Sequence, residues 1–180
     1  TWWNGQTLNT QLFTWRKGSL TPARFGFGSP ASATLRIWLH AASNGELASA
    51  RPLIDALLAH PHVTLVITVN SLSAKILGDD WHLPRTDICL APFDLRWALR
   101  RFIRNWSVTS YVGLEAEFWP NRFSTLRASN SPNALVAARL SEKSVGLVTK
   151  LALNHIDWVA PQDARSRERF ALLKLDEAKL

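Results

Sequence analysis

The 180 residues contain no methionine and a single cysteine, Cys89. One thiol cannot close an intrachain disulfide, which excludes a disulfide-stapled secreted domain. Its setting in Asp87-Ile88-Cys89-Leu90 reads as a buried strand in a reduced compartment, with the cytosol the expected setting. Long apolar runs are missing too. None reaches the roughly 18 residues that a spanning helix requires, and no charged-then-apolar leader opens the sequence. A chain that begins at Thr1 and lacks methionine is expected to be a piece of something longer, in which an upstream anchor would go unseen.

Phosphate-cradling glycine loops are also absent. The turn after the first expected strand holds only Gly45, so neither the dinucleotide fingerprint nor the P-loop is present, and a dehydrogenase or NTPase is disfavoured. The five histidines are scattered, and neither His60-x-His62 nor any Cys/His grouping has metal-site spacing, so no metal is expected. No acidic residue precedes Glu46, whereas Arg16, Lys17, Arg24 and Arg36 do.

What is present is a globular composition, 47% hydrophobic and 19% charged, with a net charge of +7. A chain of this size can bury one good core. The charge draws anions: phosphate-bearing lipids, nucleic acid or an acidic sugar. No nucleic-acid motif is found, and the nine tryptophans fall mostly at core positions, so nucleic acid is not an expected partner. Residues 1–33 form a basic, aromatic arm carrying Trp2, Trp3, Phe13, Trp15, Phe25 and Phe27, with a short amphipathic piece at Leu8 to Trp15. Tryptophan beside Lys or Arg suits a membrane interface, and packing onto the domain explains the same rings equally well.

From residue 34 onward, short β-rich runs alternate with segments of helical period, the pattern of an α/β fold with a Rossmann-like, doubly wound parallel sheet. Six strands are predicted: Leu35 to His40, Val63 to Val69, Asp87 to Ala91, Thr109 to Leu114, Ala134 to Ala138 and Asp157 to Ala160. The clearest helix runs from Leu95 to Trp106, with Asp94 as its N-cap and Arg96, Arg100, Arg101 and Arg104 on its polar face. Further helices fit Glu46 to His60, Ser71 to Gly78, Trp119 to Ser129, Ser141 to Asn154 and Gln162 to Leu173. Pro52 should kink the first of these or delay its start to about Ala50.

The common doubly wound order places strand 1 beside strand 4, with ligands at the carboxyl edge where the order reverses. The loop His40-Ala41-Ala42-Ser43-Asn44-Gly45-Glu46 would then face Glu115-Ala116-Glu117. Carboxylates gathered at such an edge suit proton transfer from a substrate hydroxyl. Glu46 has the better geometry, because Gly45 lets an acceptor approach the backbone. Ser43-x-x-Glu46 is also a capping box, in which Glu46 bonds back to the Ser43 amide, and that needs no chemistry. The helix N-terminus should keep Glu46 ionised. Alternation sends Glu115 and Glu117 the same way if the strand continues through both, and they diverge if it ends between them. Glu117, closer to the loop, is the choice for the crevice, and Glu115 could instead support backbone amides. His40 either orients Glu46 or a substrate hydroxyl, or plays the structural part more usual for a lone histidine.

These residues resemble the amino-terminal domain of Kdo transferases. The likeness runs from Trp15-Arg16-Lys17-Gly18 and Arg24-Phe25-Gly26 through His40 to Glu46 and Ala50-Arg51-Pro52-Leu53-Ile54. It continues in Glu115-x-Glu117-Phe118-Trp119-Pro120-Asn121 and in Ala138-Arg139-Leu140-Ser141-Glu142. The resemblance implies the first of two Rossmann-like domains of a GT-B glycosyltransferase, here residues 34–180, with a donor domain that would follow Leu180. It implies inverting, metal-free transfer of Kdo from CMP-Kdo to a lipid A precursor at the cytoplasmic face of the bacterial inner membrane. Glu46 falls on the family's general base and Glu117 on a further essential acid. Substrate contacts are implied at His40, Ser43, Gly45, Glu115, Asn121, Arg139 and Ser141, with an anionic membrane surface as partner and no cofactor. Ala116, Ala137 and Ala74 depart from the family, standing where Thr or Asn, Asn or Gly, and Gly are usual. A non-catalytic Rossmann-like module that only holds a lipid or sugar is the alternative.

Overall fold

The computed structural model describes residues 22–27, 35–115, 117–141 and 146–180. The expected amphipathic piece at 8–15, most of the arm, Ala116 and Glu142 lie outside the described residues.

Six parallel strands form one sheet: β1 (Leu35–His40), β2 (Val63–Val69), β3 (Thr86–Leu90), β4 (Ser110–Leu114), β5 (Asn133–Ala138) and β6 (Trp158–Pro161). Their order is β3-β2-β1-β4-β5-β6. Each lies within one residue of its expected bounds, because β-branched and other apolar runs bounded by turn residues leave little alternative once both faces are buried. The order reverses between β1 and β4, where His40 is in register with Gly113.

Seven helices cover the faces among the described residues: α1 (Asn44–Ser49), α2 (Arg51–Leu58), α3 (Leu72–Asp80), α4 (Arg96–Asn105), α5 (Pro120–Ala128), α6 (Leu147–Leu153) and α7 (Ala164–Leu172). One core gathers Ile37, Leu39, Leu65, Ile67 and Val69 with Leu47 and Ile54 from α1 and α2. Alternation along the strands sends Trp38, Val66, Tyr111 and Leu135 to the other face, where they meet Leu99, Phe102, Phe123 and Phe170 of α4, α5 and α7.

Several helix boundaries differ from expectation. The segment from Glu46 to His60 is two helices broken at Ala50, with Pro52 in the first turn of the second, where its missing N–H costs nothing. Of the expected Ser141 to Asn154 helix, the described residues show Leu147–Leu153 as helical, with Gly146 as its N-cap, and residues 142–145 lie outside the described residues. Asp94 does not cap α4, whose cap residue is Leu95 without a side-chain bond. It accepts instead from the Asn121 and Arg122 amides at the start of α5, at 3.3 and 2.8 Å. A carboxylate that satisfies two orphan amides of a helix lying far along the chain ties the β3–α4 loop to the β4–α5 loop.

The described part of the arm, a 3₁₀ turn at Pro22–Phe25 followed by Gly26, packs on α4. Gly26 sits at φ +77°, and a Cβ there would lie 2.3 Å from the Ala98 carbonyl oxygen, so only glycine allows this approach. Arg24 is buried and donates to the carbonyls of Asn70 and Ala91 at 2.9 and 3.3 Å, at the carboxyl ends of β2 and β3.

Ala137 has φ +51°, beside an irregularity in the β5–β6 ladder between Leu135 and Ala138. Asn and Gly adopt that left-handed conformation more readily than alanine, in keeping with the Asn or Gly that the resemblance implies at this position. Ala137→Gly should therefore raise stability by about 1 kcal/mol in chemical denaturation, relief of strain outweighing the added freedom of the unfolded chain.

Candidate active site

The site is built at the carboxyl edge of β1, β2 and β4. His40 ends β1 and is fully buried. Its Nδ1 lies 2.8 Å from Thr68 Oγ1, and that oxygen also accepts the Trp38 Nε1–H at 2.7 Å. With one lone pair taken by Trp38, the Thr68 hydroxyl is placed to donate to Nδ1, which leaves the imidazole proton on Nε2. Nε2 is 2.9 Å from Glu117 Oε2.

Glu117 reaches this position because β4 stops at Leu114 and Glu115 turns the chain at φ +57°. The two acids therefore diverge: the Glu115 carboxylate is exposed, and that of Glu117 turns in, with 20% of its side chain accessible. Besides His40, Glu117 Oε2 accepts from Trp119 Nε1 at 2.8 Å, and both carboxylate oxygens lie 3.2–3.3 Å from Asn70 Nδ2. Burial opposes this charge, but the His40 and Trp119 hydrogen bonds and the positive field of Arg122 outweigh it and hold the carboxyl down at about 2. His40 is driven the other way: burial and the Arg122 charge both disfavour its protonation. The pair is thus a neutral imidazole donating to a carboxylate.

Glu46 stands in the first turn of α1, half-buried. The capping box forms in part, Ser43 Oγ accepting from the Glu46 amide at 3.2 Å. The carboxylate does not return to the Ser43 amide as expected. Oε2 takes the Ala42 N–H at 2.7 Å and Oε1 the Ser43 hydroxyl at 3.1 Å. Nor is the carboxyl held low by the helix terminus. Burial raises it against the Ala42 hydrogen bond, and the charges of Glu115 and Glu117 add to the rise, which ends at about 7. A carboxyl of this kind is a far stronger base than an ordinary one and is still half ionised near neutrality.

A Cβ on Gly45 would meet only Ser43 Oγ, at 3.9 Å, so the chain itself does not require glycine there. Asn121 spends its amide on neighbours, donating to the Asp94 carbonyl at 2.9 Å and accepting from Arg96 Nε at 3.2 Å. Arg139 and Ser141 follow β5 and are exposed, one strand further from β1 than Glu117. Sequence reading missed Thr68, Asn70, Trp119 and Arg122. The first two carried a signal, since Thr68 near the end of β2 and Asn70 just after it share the parity that points toward His40, whereas Arg122 had none. Among the described residues no group of three or more His, Cys, Asp or Glu could hold a metal.

A doubly wound sheet of this order, with acids gathered at its reversal point, defines a Rossmann-like domain of the type from which GT-B proteins are assembled. Residues 20–180 match the family described as 3-deoxy-D-manno-octulosonic-acid transferase (kdotransferase), and the chain belongs to that family. It is 30% identical over 172 residues to the 3-deoxy-D-manno-octulosonic acid transferase of Bordetella pertussis, covering 84% of this chain and 40% of that protein. The same identity holds over 172 residues with the Haemophilus influenzae protein of that name, covering 87% and 39%. The chain thus spans about two fifths of the length of these relatives. In fold it is similar to UDP-N-acetylglucosamine 2-epimerase, with a TM-score of 0.59 at 11% identity over 81% of this chain and 47% of that one. A second similar structure, an S. aureus MnaA-UDP co-structure, gives 0.58 at 12% identity over 81% and 42%.

Glu117 is an acid whose folded pKa is depressed, so its contribution to stability is full above the unfolded carboxylate pKa of roughly 4.3 and is lost as pH falls toward about 2. Chemical denaturation from pH 6 to pH 3 should show the unsubstituted chain losing on the order of 2 kcal/mol more than Glu117→Gln, which has no charge to lose.

Proposed function

We propose that this chain is the acceptor-side half of a glycosyltransferase that moves Kdo from CMP-Kdo to a lipid A precursor, lipid IVA, in lipopolysaccharide core biosynthesis. The observation that carries the reading is the Glu46 carboxyl at the β1/β4 reversal, half-buried, held by the Ala42 amide and the Ser43 hydroxyl, and pushed up to about 7 by burial and the neighbouring acids. Membership of the Kdo transferase family supports Kdo transfer in general, and the placement of Glu46 supports its part as the base; CMP-Kdo and lipid IVA belong to the proposal.

In the proposed step Glu46 removes the proton from an acceptor hydroxyl as that oxygen attacks the anomeric carbon of Kdo. The carbon–oxygen bond to the CMP phosphate breaks, CMP leaves with the electron pair, and a single displacement inverts the anomeric centre. The proton ends on Glu46 and no covalent intermediate forms. Glu117, its carboxylate engaged by His40, Asn70 and Trp119, acts by charge, helping to raise Glu46 and so strengthening it as a base. The opening at Gly45 leaves room for the acceptor. The CMP-sugar would be held by a second domain.

The base must be ionised, so kcat/KM should rise with pH through about 7 and level off above it. The assay supplies a matching carboxyl-terminal domain, CMP-Kdo and lipid IVA. Glu46→Gln should lower transfer by roughly 10²–10⁴-fold with acceptor binding retained. Transfer that is absent in the unsubstituted chain, or equal in Glu46→Gln, would leave the binding-module reading instead.

The site is proposed to work at the cytoplasmic face of the inner membrane. α4 begins at the same edge of the sheet as Glu46, and beside its first turn Leu95, Trp97 and Phe27 are 44%, 49% and 49% exposed. Arg101 lies over the Phe27 and Trp97 rings, 4.4 and 5.5 Å from their centroids, and Phe25 stacks on Trp97 at 5.9 Å. Aromatic rings interleaved with guanidinium groups suit a headgroup layer. The chain should co-sediment with vesicles containing anionic phospholipid and not with zwitterionic ones, and should bind DNA less than those vesicles at matched salt. The pair Trp97→Ser and Arg101→Glu should weaken vesicle binding at least tenfold; unchanged binding would place the contact elsewhere.

A further inference from the structure

Arg122, in the first turn of α5, is 1% exposed. Its guanidinium carbon lies over three rings, 5.2 Å from the centroid of Trp38, 5.7 Å from Trp119 and 5.9 Å from Tyr111. Nη1 donates to the Tyr111 hydroxyl at 3.2 Å, while Nε is buried with no hydrogen-bond partner. No ion pair within 4.0 Å involves it among the described residues. The room for its Tyr111 partner depends on Gly113, where a Cβ would come within 2.8 Å of the Tyr111 hydroxyl.

A buried cation without a contacting carboxylate is expensive, and packing alone would be served better by an apolar side chain. Its field, however, reaches each of the groups around it. Asp94, before α4, is raised by burial and drawn back by Arg122. Tyr111 on β4 is raised by burial against the same charge. Glu117, after β4, is helped to ionise, and His40 on β1 is hindered from protonating. Around His40, then, stand Glu117 from the β4–α5 loop, Tyr111 from β4, Arg122 from α5 and the neutral Thr68 from β2. Glu46 on α1 and Asp94 complete the charged surroundings.

We infer that Arg122 is a positioning residue of this site. Its guanidinium is caged by Trp119, which bonds to Glu117, and by Trp38, which bonds to Thr68 beside His40. As a fixed cation it reinforces these hydrogen bonds on the Glu117 carboxylate, and burial on the neutral His40 ring, in holding the two together beside Glu46. The inference builds on the proposed role of Glu46 as base, but its physical content is a protonation state and can be read without any transfer assay. If His40 took a proton, Thr68 would lose its acceptor at Nδ1 and the tautomer that orients Glu117 would no longer be specified.

The test is ¹⁵N and ¹³C NMR of the His40 ring in the 180-residue chain between pH 8 and pH 5.5. In the unsubstituted protein His40 should stay neutral with its proton on Nε2 throughout. Arg122→Lys should preserve that state. Arg122→Met should raise the protonated fraction of His40 at pH 6 at least tenfold. A folded Arg122→Met chain whose His40 remains neutral, or Arg122→Lys behaving like Arg122→Met, would overturn the assignment. Should Arg122→Met fail to fold, the unsubstituted chain decides alone, since protonation of its His40 with a midpoint at or above pH 6.5 refutes the inference. Loss of the transferase reading through Glu46→Gln leaves this result untouched, and the two failures are therefore distinguishable.

Discussion

The hydrogen bond between His40 Nε2 and Glu117 is the contact on which the rest of this edge depends. It joins the end of β1 to the loop after β4 across the reversal point of the sheet, just beyond the paired residues His40 and Gly113. Everything that orients it is polar and internal. Trp38 occupies one lone pair of Thr68, Thr68 orients the imidazole, and Asn70 and Trp119 complete the shell of the carboxylate. A half-satisfied set of this kind would cost more than an apolar core. With each donor matched to an acceptor, it makes a rigid negative charge whose field is felt by Glu46.

The strands and the meeting of His40, Glu46 and Glu117 were legible because each rests on a short-range pattern. β-branched runs mark the strands, and the common doubly wound order brings β1 beside β4 without any knowledge of side-chain contacts. The likeness to Kdo transferases adds residue roles that periodicity could not supply. What escaped the sequence depends on long-range contact. Asp94 looks like a cap for the helix that follows it at once, and only the packed structure shows it bonded to amides 27 and 28 positions later. Arg122 reads as one more basic residue on a helix until three rings from β1, β4 and the following loop close around it.

The arm shows the same division. Composition offers headgroup contact and packing as equal explanations for its aromatic residues, and residues 22–27 hold both a buried position and an exposed ring. Arg24 is buried against the ends of β2 and β3, where it holds the Asn70 carbonyl while the Asn70 side chain meets Glu117. Phe27 stays half exposed above Arg101. One short segment thus braces the site from beneath and presents a ring to the outside, which links an exposed aromatic surface directly to the carboxylate shell.

Capping and chemistry at Glu46 need not compete. The Ala42 amide and the Ser43 hydroxyl each occupy one lone pair on a different oxygen, and a carboxylate has further lone-pair directions for a substrate proton. Those two bonds restrain the side chain as a base must be restrained, since a freely rotating carboxylate would lose its advantage of orientation. The helix terminus and the donors favour the ionised form, burial and the neighbouring acids oppose it, and the balance falls near 7 rather than near 4. A group held that firmly by donors would ordinarily be a weak base. Burial first, and then the charges of Glu115 and Glu117, let one residue be both anchored and basic.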